Sequence, residues 1–266
     1  TGALFLDFSK DTNKRFKQLL SVRNDTKLFK PVSPEEASRI AGIKLAKGGL
    51  FFPEAGWLDP KGACDLMIQN SNIRFIGEEV KRIKKTSKFR VIFDGQTDEF
   101  DHVCLCSSYE SNNLINLKGI SKKRGQVTYL ENNSSIKNLK VPIFAKGYIS
   151  PAPEDLKIIG STYNVKNNKD ITLEENQENL EKLRLITNKK VIVKGAKFGY
   201  RATTPDRLPL VGKTKQMYVN IGHGSRGSSS APISAQFICD LMSGSPPIFG
   251  KKISRALNPE RFKEKS

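Results

Sequence analysis

Gly199-Tyr-Arg-Ala-Thr-Thr-Pro-Asp-Arg-Leu-Pro-Leu-Val-Gly212, then Met217–Ile221, then Gly222-His-Gly-Ser-Arg-Gly-Ser-Ser-Ser-Ala-Pro232, is the most informative segment of this chain. Its pattern predicts a strand over Met217–Ile221, a glycine-dense loop, and a helix with Pro232 in its first turn. Ile233, Phe237 and Leu241 then give that helix an apolar stripe. Gly222, Gly224 and Gly227 let the backbone approach a ligand and turn N–H groups outward. A helix N-terminus adds partial positive charge at the same place. Such a loop suits an anion or the electron-rich edge of a cofactor ring. It also suits a tight turn with a Ser-rich cap.

Four side chains in this segment carry alternatives. Arg201 and Arg226 are either forked donors to a carboxylate or phosphate, or surface charges. His223 is either a general base or an orienting hydrogen bonder. Asp206, preceded by Pro205, is either a catalytic carboxylate or a turn anchor.

Outward from this segment, helices and strands alternate irregularly. Ser33-Pro34-Glu35-Glu36 is a capping box with proline at the first helical position, and Gly42 ends that helix. Asp59-Pro60 opens a short helix with Ala63, Leu66 and Met67 on one face. Thr172 and Glu175 form a second capping box, with Ile171 as a staple and Leu180, Leu183 and Leu185 in the helix that follows. Strands are predicted at Ile73–Ile76, Phe89–Phe93, Val103–Cys106, Val141–Ala145, Ile158–Thr162, Val191–Val193 and Met217–Ile221. Asp94-Gly95 marks a hairpin turn, and Lys140–Ser150 pairs antiparallel with Lys157–Tyr163. Mixed strands with inserted helices give an α/β (α+β mixed) fold class.

The chain has 266 residues, 37% of them hydrophobic, and a net charge of +18. The charge favours a polyanionic partner. Basic runs such as Lys84-Lys85, Lys122-Lys123-Arg124 and Lys189-Lys190 are scattered, which allows a basic face. No stretch approaches the roughly 18 apolar residues of a membrane span. No signal peptide and no initiator Met are visible at Thr1, so a processed or cut chain is expected. Cys64, Cys104, Cys106 and Cys239 form no CxxC pair, and only His102 and His223 add imidazoles. No metal site is expected. Cys104 and Cys106 read as buried small apolar residues on one strand face, and a reducing cytoplasm fits.

Further stretches are specific: Gly2-Ala-Leu-Phe5, Gly48-Gly-Leu-Phe-Phe-Pro-Glu-Ala-Gly-Trp-Leu58, Gly125-Gln-Val127, Lys146-Gly-Tyr-Ile-Ser-Pro151 and Ala256-Leu-Asn-Pro-Glu-Arg261. With the two glycine-containing motifs above, the chain resembles the C-terminal, FAD-dependent half of the bacterial bifunctional enzymes of tRNA 5-methylaminomethyl-2-thiouridine biosynthesis. That half belongs to the D-amino-acid oxidase and glycine oxidase superfamily. The family's opening Gly-x-Gly-x-x-Gly turn, which holds the FAD pyrophosphate, is not found here, so the N-terminal FAD-binding βαβ unit is expected to be missing.

The resemblance implies an incomplete FAD-binding Rossmann-like layer interleaved with an antiparallel-sheet substrate domain. Residues 1–24, 46–114 and 199–266 would be the remnant of the FAD-binding domain, and 25–45 and 115–198 the substrate-binding domain. It implies FAD as cofactor and oxidative removal of a carboxymethyl group, as glyoxylate, from 5-carboxymethylaminomethyl uridine at the tRNA wobble position. It implies tRNA, through its anticodon region, and a fused or separate methyltransferase as partners. By motif, Arg201 and Arg226 would hold the substrate carboxylate. Gly222, His223, Gly224, Ser225, Gly227, Ser228 and Ser229 would form the flavin-ring loop. Trp57 and Tyr148 either line the site or are core aromatics. No protein acid–base catalyst is required, because the flavin carries the hard step. Two alternatives remain: a small-molecule glycine or sarcosine oxidase, and a cofactor-less module binding RNA or a partner.

Overall fold

The computed structural model describes all residues except 23–26, 71, 165–168 and 263–266. The beginning of the 25–45 segment expected in the substrate-binding domain therefore lies outside the described residues. The chain opens with β1 (Ala3–Leu6), α1 (Lys10–Val22), β2 (Lys30–Val32), α2 (Pro34–Ala41), β3 (Gly49–Phe52) and α3 (Pro60–Ile68). Then come β4 (Arg82–Lys85), β5 (Phe89–Ile92), β6 (Thr97–Phe100), β7 (Cys104–Leu105) and β8 (Ser121–Leu130). Next are β9 (Ile143–Phe144), β10 (Tyr148–Pro151), β11 (Lys157–Gly160), α4 (Leu173–Arg184) and β12 (Val193–Thr203). β13 (Leu210–Lys213), β14 (Tyr218–Ile221), α5 (Gly227–Ser243) and α6 (Lys251–Leu257) complete the chain.

Two compact units emerge, one of Thr1–Met67 with Arg124–Gly199, the other of Ile68–Lys123 with Tyr200–Ser266. These cuts differ from the domain boundaries expected from the resemblance: 1–24 and 46–67 fall in the same unit as 124–199.

The first unit is built on an eight-stranded sheet in the order β12-β8-β11-β10-β9-β1-β3-β2. β1 runs parallel to β9 and antiparallel to β3. The expected antiparallel pairing of 140–150 with 157–163 is realised as β10 against β11. Leu4, Leu130, Ile143, Ile149 and Ile159 are fully buried in one cluster with Ala37, Ala41 and Leu183. Each large aliphatic side chain there contributes about 2 kcal/mol. α2 forms as its capping signals dictate: the Ser33 side chain accepts the Glu36 N–H, and Gly42 closes the helix at φ 75°. A Cβ at Gly42 would stand 2.0 Å from the Asn138 carbonyl oxygen, so only glycine fits.

α4 is capped by Thr172, whose side chain accepts the Glu175 N–H. A buried network then ties this helix start to β8. Glu175 pairs with Arg124 and accepts from the Thr162 hydroxyl at 2.6 Å. Gln126 donates to the Thr172 carbonyl at 2.8 Å and accepts the Thr172 N–H at 3.0 Å. Every charge in this network has a partner, as burial requires.

The second unit holds two three-stranded sheets, β13-β14-β7 and β4-β5-β6. β14 is antiparallel to β13 and parallel to β7. One face buries Leu210, Val219 and Ile221 with Phe89 and Leu105. The other buries Val211 and Tyr218 against Phe237 and Ile238 of α5 and Leu257 of α6. The Asp94-Gly95 hairpin forms as expected, with the Phe93 N–H donating to the Gln96 carbonyl at 3.0 Å and Gly95 at φ +77°.

Several local expectations are corrected. Residues 73–76 form no strand; Phe75 is 71% exposed, and β propensity without a pairing partner is not enough. Val191–Val193 is the approach to β12, which begins at Val193 and extends through eleven residues. Leu66 and Met67 on α3 are exposed, as is Ile171, so neither the α3 face nor the staple is buried. Cys104 is half-buried against the cluster of Val211, Tyr218 and Phe237, but Cys106 is exposed, with the two sulfurs 3.7 Å apart, so only Cys104 meets the core. Arg124 of the Lys122-Lys123-Arg124 run leaves the basic surface entirely and is 2% exposed.

Candidate active site

The second unit carries the glycine-rich segment. β14 ends at Ile221, and Gly222 turns the chain at φ +81°. A Cβ there would lie 3.3 Å from the Thr204 methyl and 3.4 Å from Ile120. Gly224 follows at φ +57° and opens a single 3₁₀ turn, Gly224–Arg226, that runs straight into α5 at Gly227. The helix therefore starts five residues before Pro232, which sits inside it rather than in its first turn. The 3₁₀ turn supplies the entry geometry that proline was expected to provide. No side chain caps α5. Ser229 instead donates back to the Arg226 carbonyl at 3.1 Å, and the Ser230 hydroxyl oxygen stands 2.8 Å from the same carbonyl. The positive end of the α5 dipole stands at this start.

His223 is fixed from both sides: Nδ1 is 2.8 Å from the Ser230 hydroxyl and Nε2 is 2.9 Å from Asn220 Oδ1. Burial pushes its pKa down, so the ring is neutral at pH 7. With both nitrogens engaged it braces β14 against α5.

Arg201 lies on β12, half-buried, two residues before Thr203. The Thr203 methyl lies 3.4 Å from the position of a Cβ on Gly224, so Thr203 turns its side chain to the loop. Residues two apart on a strand share a face. Arg201 therefore projects from the same face of β12 that meets the glycine turn. Arg226 is exposed at the N-cap of α5. Among the described residues its side chain forms no ion pair.

Asp206 is a loop anchor. Arg261 grips it with two bonds, Nε to Oδ2 at 2.8 Å and Nη2 to Oδ1 at 2.9 Å. Thr204 and the Leu208 N–H add further donors at 3.0 Å each. The Arg261 guanidinium, first among these causes, holds the Asp206 carboxyl at about 2. Arg261 also donates to the carbonyls of Leu208, at 2.7 Å, and Pro209, at 3.1 Å. The 204–209 loop, which leads from β12 to β13, is thereby pinned to the C-terminal segment. Sequence reading matched the Ala256–Arg261 motif without assigning Arg261 this role. A second missed feature is Lys122, with its ammonium 3.7 Å from the Tyr200 ring centre and 4.5 Å from that of Tyr109.

Trp57 and Tyr148 belong to the first unit. Trp57 is 38% exposed in the loop after β3. Tyr148, half-buried on β10, lies 6.0 Å from the Phe144 ring. Among the described residues, no group of three or more His, Cys, Asp or Glu side chains could hold a metal ion. No helix among them is long and apolar enough to cross a membrane.

A parallel–antiparallel sheet, a glycine turn and a helix start without a side-chain cap meet in the second unit. The family model described as FAD dependent oxidoreductase (DAO) matches residues 1–241, and the chain belongs to that family. Among curated relatives, the tRNA 5-methylaminomethyl-2-thiouridine biosynthesis bifunctional protein MnmC of Nitrosospira multiformis is 29% identical, over 98% of this chain and 46% of that protein. Its namesake from Pseudomonas aeruginosa (strain UCBPP-PA14) is 28% identical over the same shares. The chain thus spans about half the length of the curated relatives it matches. Among solved structures, glycine oxidase from Geobacillus kaustophilus superimposes with a TM-score of 0.83 at 18% identity, over 99% of this chain and 75% of that one. L-proline dehydrogenase from P. horikoshii gives 0.82 at 22%, over 99% and 76%. At these identities the two structures establish the fold.

Proposed function

We propose that this chain is the oxidising part of a tRNA-modifying flavoenzyme. Its substrate would be a glycine-like secondary amine, the carboxymethylaminomethyl arm of a wobble uridine, and its products glyoxylate and an aminomethyl uridine. The observation that carries the reading is the placement of Arg201 on the face of β12 that meets Gly224. A guanidinium there can hold a carboxylate beside the turn that would face a flavin. The similarity to the MnmC proteins and the net charge of +18 support tRNA as the carrier of the amine.

The residues present fit one edge of a flavin. Gly222 and Gly224 sit at positive φ, and the α5 amides lack a side-chain cap. Gly222, Gly224, Gly227, Ser228 and Ser229 would hold the ring edge, with His223 keeping the turn in shape. Bound there, FAD supplies the two-electron acceptor for the hydride leaving the carbon between nitrogen and carboxylate.

The protein's tasks are then positional. Arg201 and Arg226 would bind the substrate carboxylate in forked, charge-assisted pairs and fix the direction of the reacting carbon. The outward amides of α5 would stabilise negative charge on the ring edge. No side chain need exchange a proton, and neutral His223, engaged at both nitrogens, is not placed to do so. Water completes the reaction by hydrolysing the substrate imine to amine and aldehyde.

Arg201→Ala is the test. In the FAD-loaded protein it should raise KM at least about thirtyfold or abolish turnover, while the flavin spectrum persists. That is the range for removing one partner of a buried charge pair, about 2–5 kcal/mol. Unchanged kinetics on the carboxymethyl substrate would remove Arg201 from the site. Faster turnover of free glycine or sarcosine than of modified tRNA would favour a small-molecule amine oxidase instead.

A further inference from the structure

In the first unit, far along the chain from the glycine turn, lies an open hollow of about 610 Å³. Its floor is apolar, from buried Leu6 and Ile186. Its rim is cationic: Lys44 and Lys47 come from the loop between α2 and β3, Arg184 from the last turn of α4, and Lys189 from the segment after it. No Asp or Glu lines it. All four cations are exposed, and among the described residues none forms an ion pair. Lys47 donates weakly to the Phe8 carbonyl at 3.4 Å.

We infer that this hollow is a docking surface for RNA, holding backbone phosphates against its four cations. The inference rests on the proposal that the substrate is carried on tRNA. Four like charges gathered around one depression repel one another, an arrangement relieved when a polyanion supplies the countercharge. The backbone does not attract anions here, because the nearby helix end is the negative, C-terminal end of α4. The side chains alone carry the attraction. Their exposure suits a flexible chain of phosphates crossing the rim, whereas a single small anion is held by buried, converging donors. The apolar floor gives a sugar or base edge a dry surface. Cationic residues distributed in this way bind through counterion release, so affinity and salt dependence should change together.

The test uses the full chain and an unmodified tRNA transcript, read by fluorescence anisotropy over a salt series. Lys44→Gln/Lys189→Gln removes two rim charges. Lys251→Gln/Lys252→Gln removes two exposed charges on α6 of the other unit and leaves the same net charge. The rim pair should weaken binding about tenfold and lower the salt slope by about two, one per lost phosphate contact. The α6 pair should change affinity less than about twofold. Thermal melting confirms that both variants fold, and Arg184→Gln gives an independent single-charge check expected to lower the slope by about one. Equal effects of the two double variants, or a rim variant that binds as the parent does, would overturn the assignment. The readout involves no flavin chemistry. A protein that oxidises the modified arm but whose RNA affinity ignores the rim loses this inference and keeps the proposed function. Slope loss at the rim with no oxidation of the arm does the reverse.

Discussion

Charge pairing decides the role of individual residues here. Asp206 and Arg261 form a two-pronged pair that also gathers Thr204 and the Leu208 N–H. Because the folded-state pKa of Asp206 is depressed to about 2, its contribution is present above the unfolded value of about 3.9 and is lost as pH falls through the folded value. Wild-type melting temperature should therefore fall between about pH 4 and pH 2, and Arg261→Ala should flatten that part of the curve. A variant with the same acid profile as wild type would mean that the pair contributes nothing. Glu175 is different because it is buried with Arg124. Glu175→Gln leaves the guanidinium without its anion and should cost about 3–5 kcal/mol in denaturant unfolding. A loss under about 1 kcal/mol would show that the surrounding amides and hydroxyls suffice. Neither pairing was legible in the sequence, since Asp206 and Arg261 are far apart along the chain. Arg124 sits in a basic run that reads as surface. Local spacing says nothing about a partner brought in by the fold.

At the scale of elements, the capping signals were the most readable part of the chain. Ser33 and Thr172 start α2 and α4 where their boxes place them, because a side-chain oxygen bonding an N–H three residues on is a purely local event. Strand assignments were less secure. Pairing is non-local, so Ile73–Ile76 has strand composition and no partner, while polar β4, β6 and β8 become strands by pairing with neighbours. The start of α5 was misplaced for a similar reason: Pro232 is a conventional start signal, but the turn at Gly224 had already begun the helix. Gly224→Ala tests that turn. A Cβ forced to φ +57°, 3.4 Å from the Thr203 methyl, should destabilise the protein by about 1–2 kcal/mol. It should also weaken FAD retention more than Gly250→Ala, where a Cβ meets open space. Equal FAD retention in the two variants would separate the turn from the cofactor.

Over the whole molecule, the family was legible because its motifs are spread along most of the chain, as the match over residues 1–241 reflects. The α/β class followed from the mixed strands. The cuts between the compact units did not, since they reflect contacts among distant segments. The +18 charge predicted a polyanion without saying where it binds, because the runs that look basic in sequence are partly consumed inside the fold, as Arg124 shows. The central claim joins a carboxylate clamp to a flavin edge, and anaerobic mixing of the FAD-loaded protein with tRNA carrying 5-carboxymethylaminomethyl uridine tests it directly. The account predicts bleaching of the visible flavin absorbance with glyoxylate released in step, and no bleaching for Arg201→Ala. A flavin that stays oxidised with that tRNA, while its spectrum shows it bound, would contradict it.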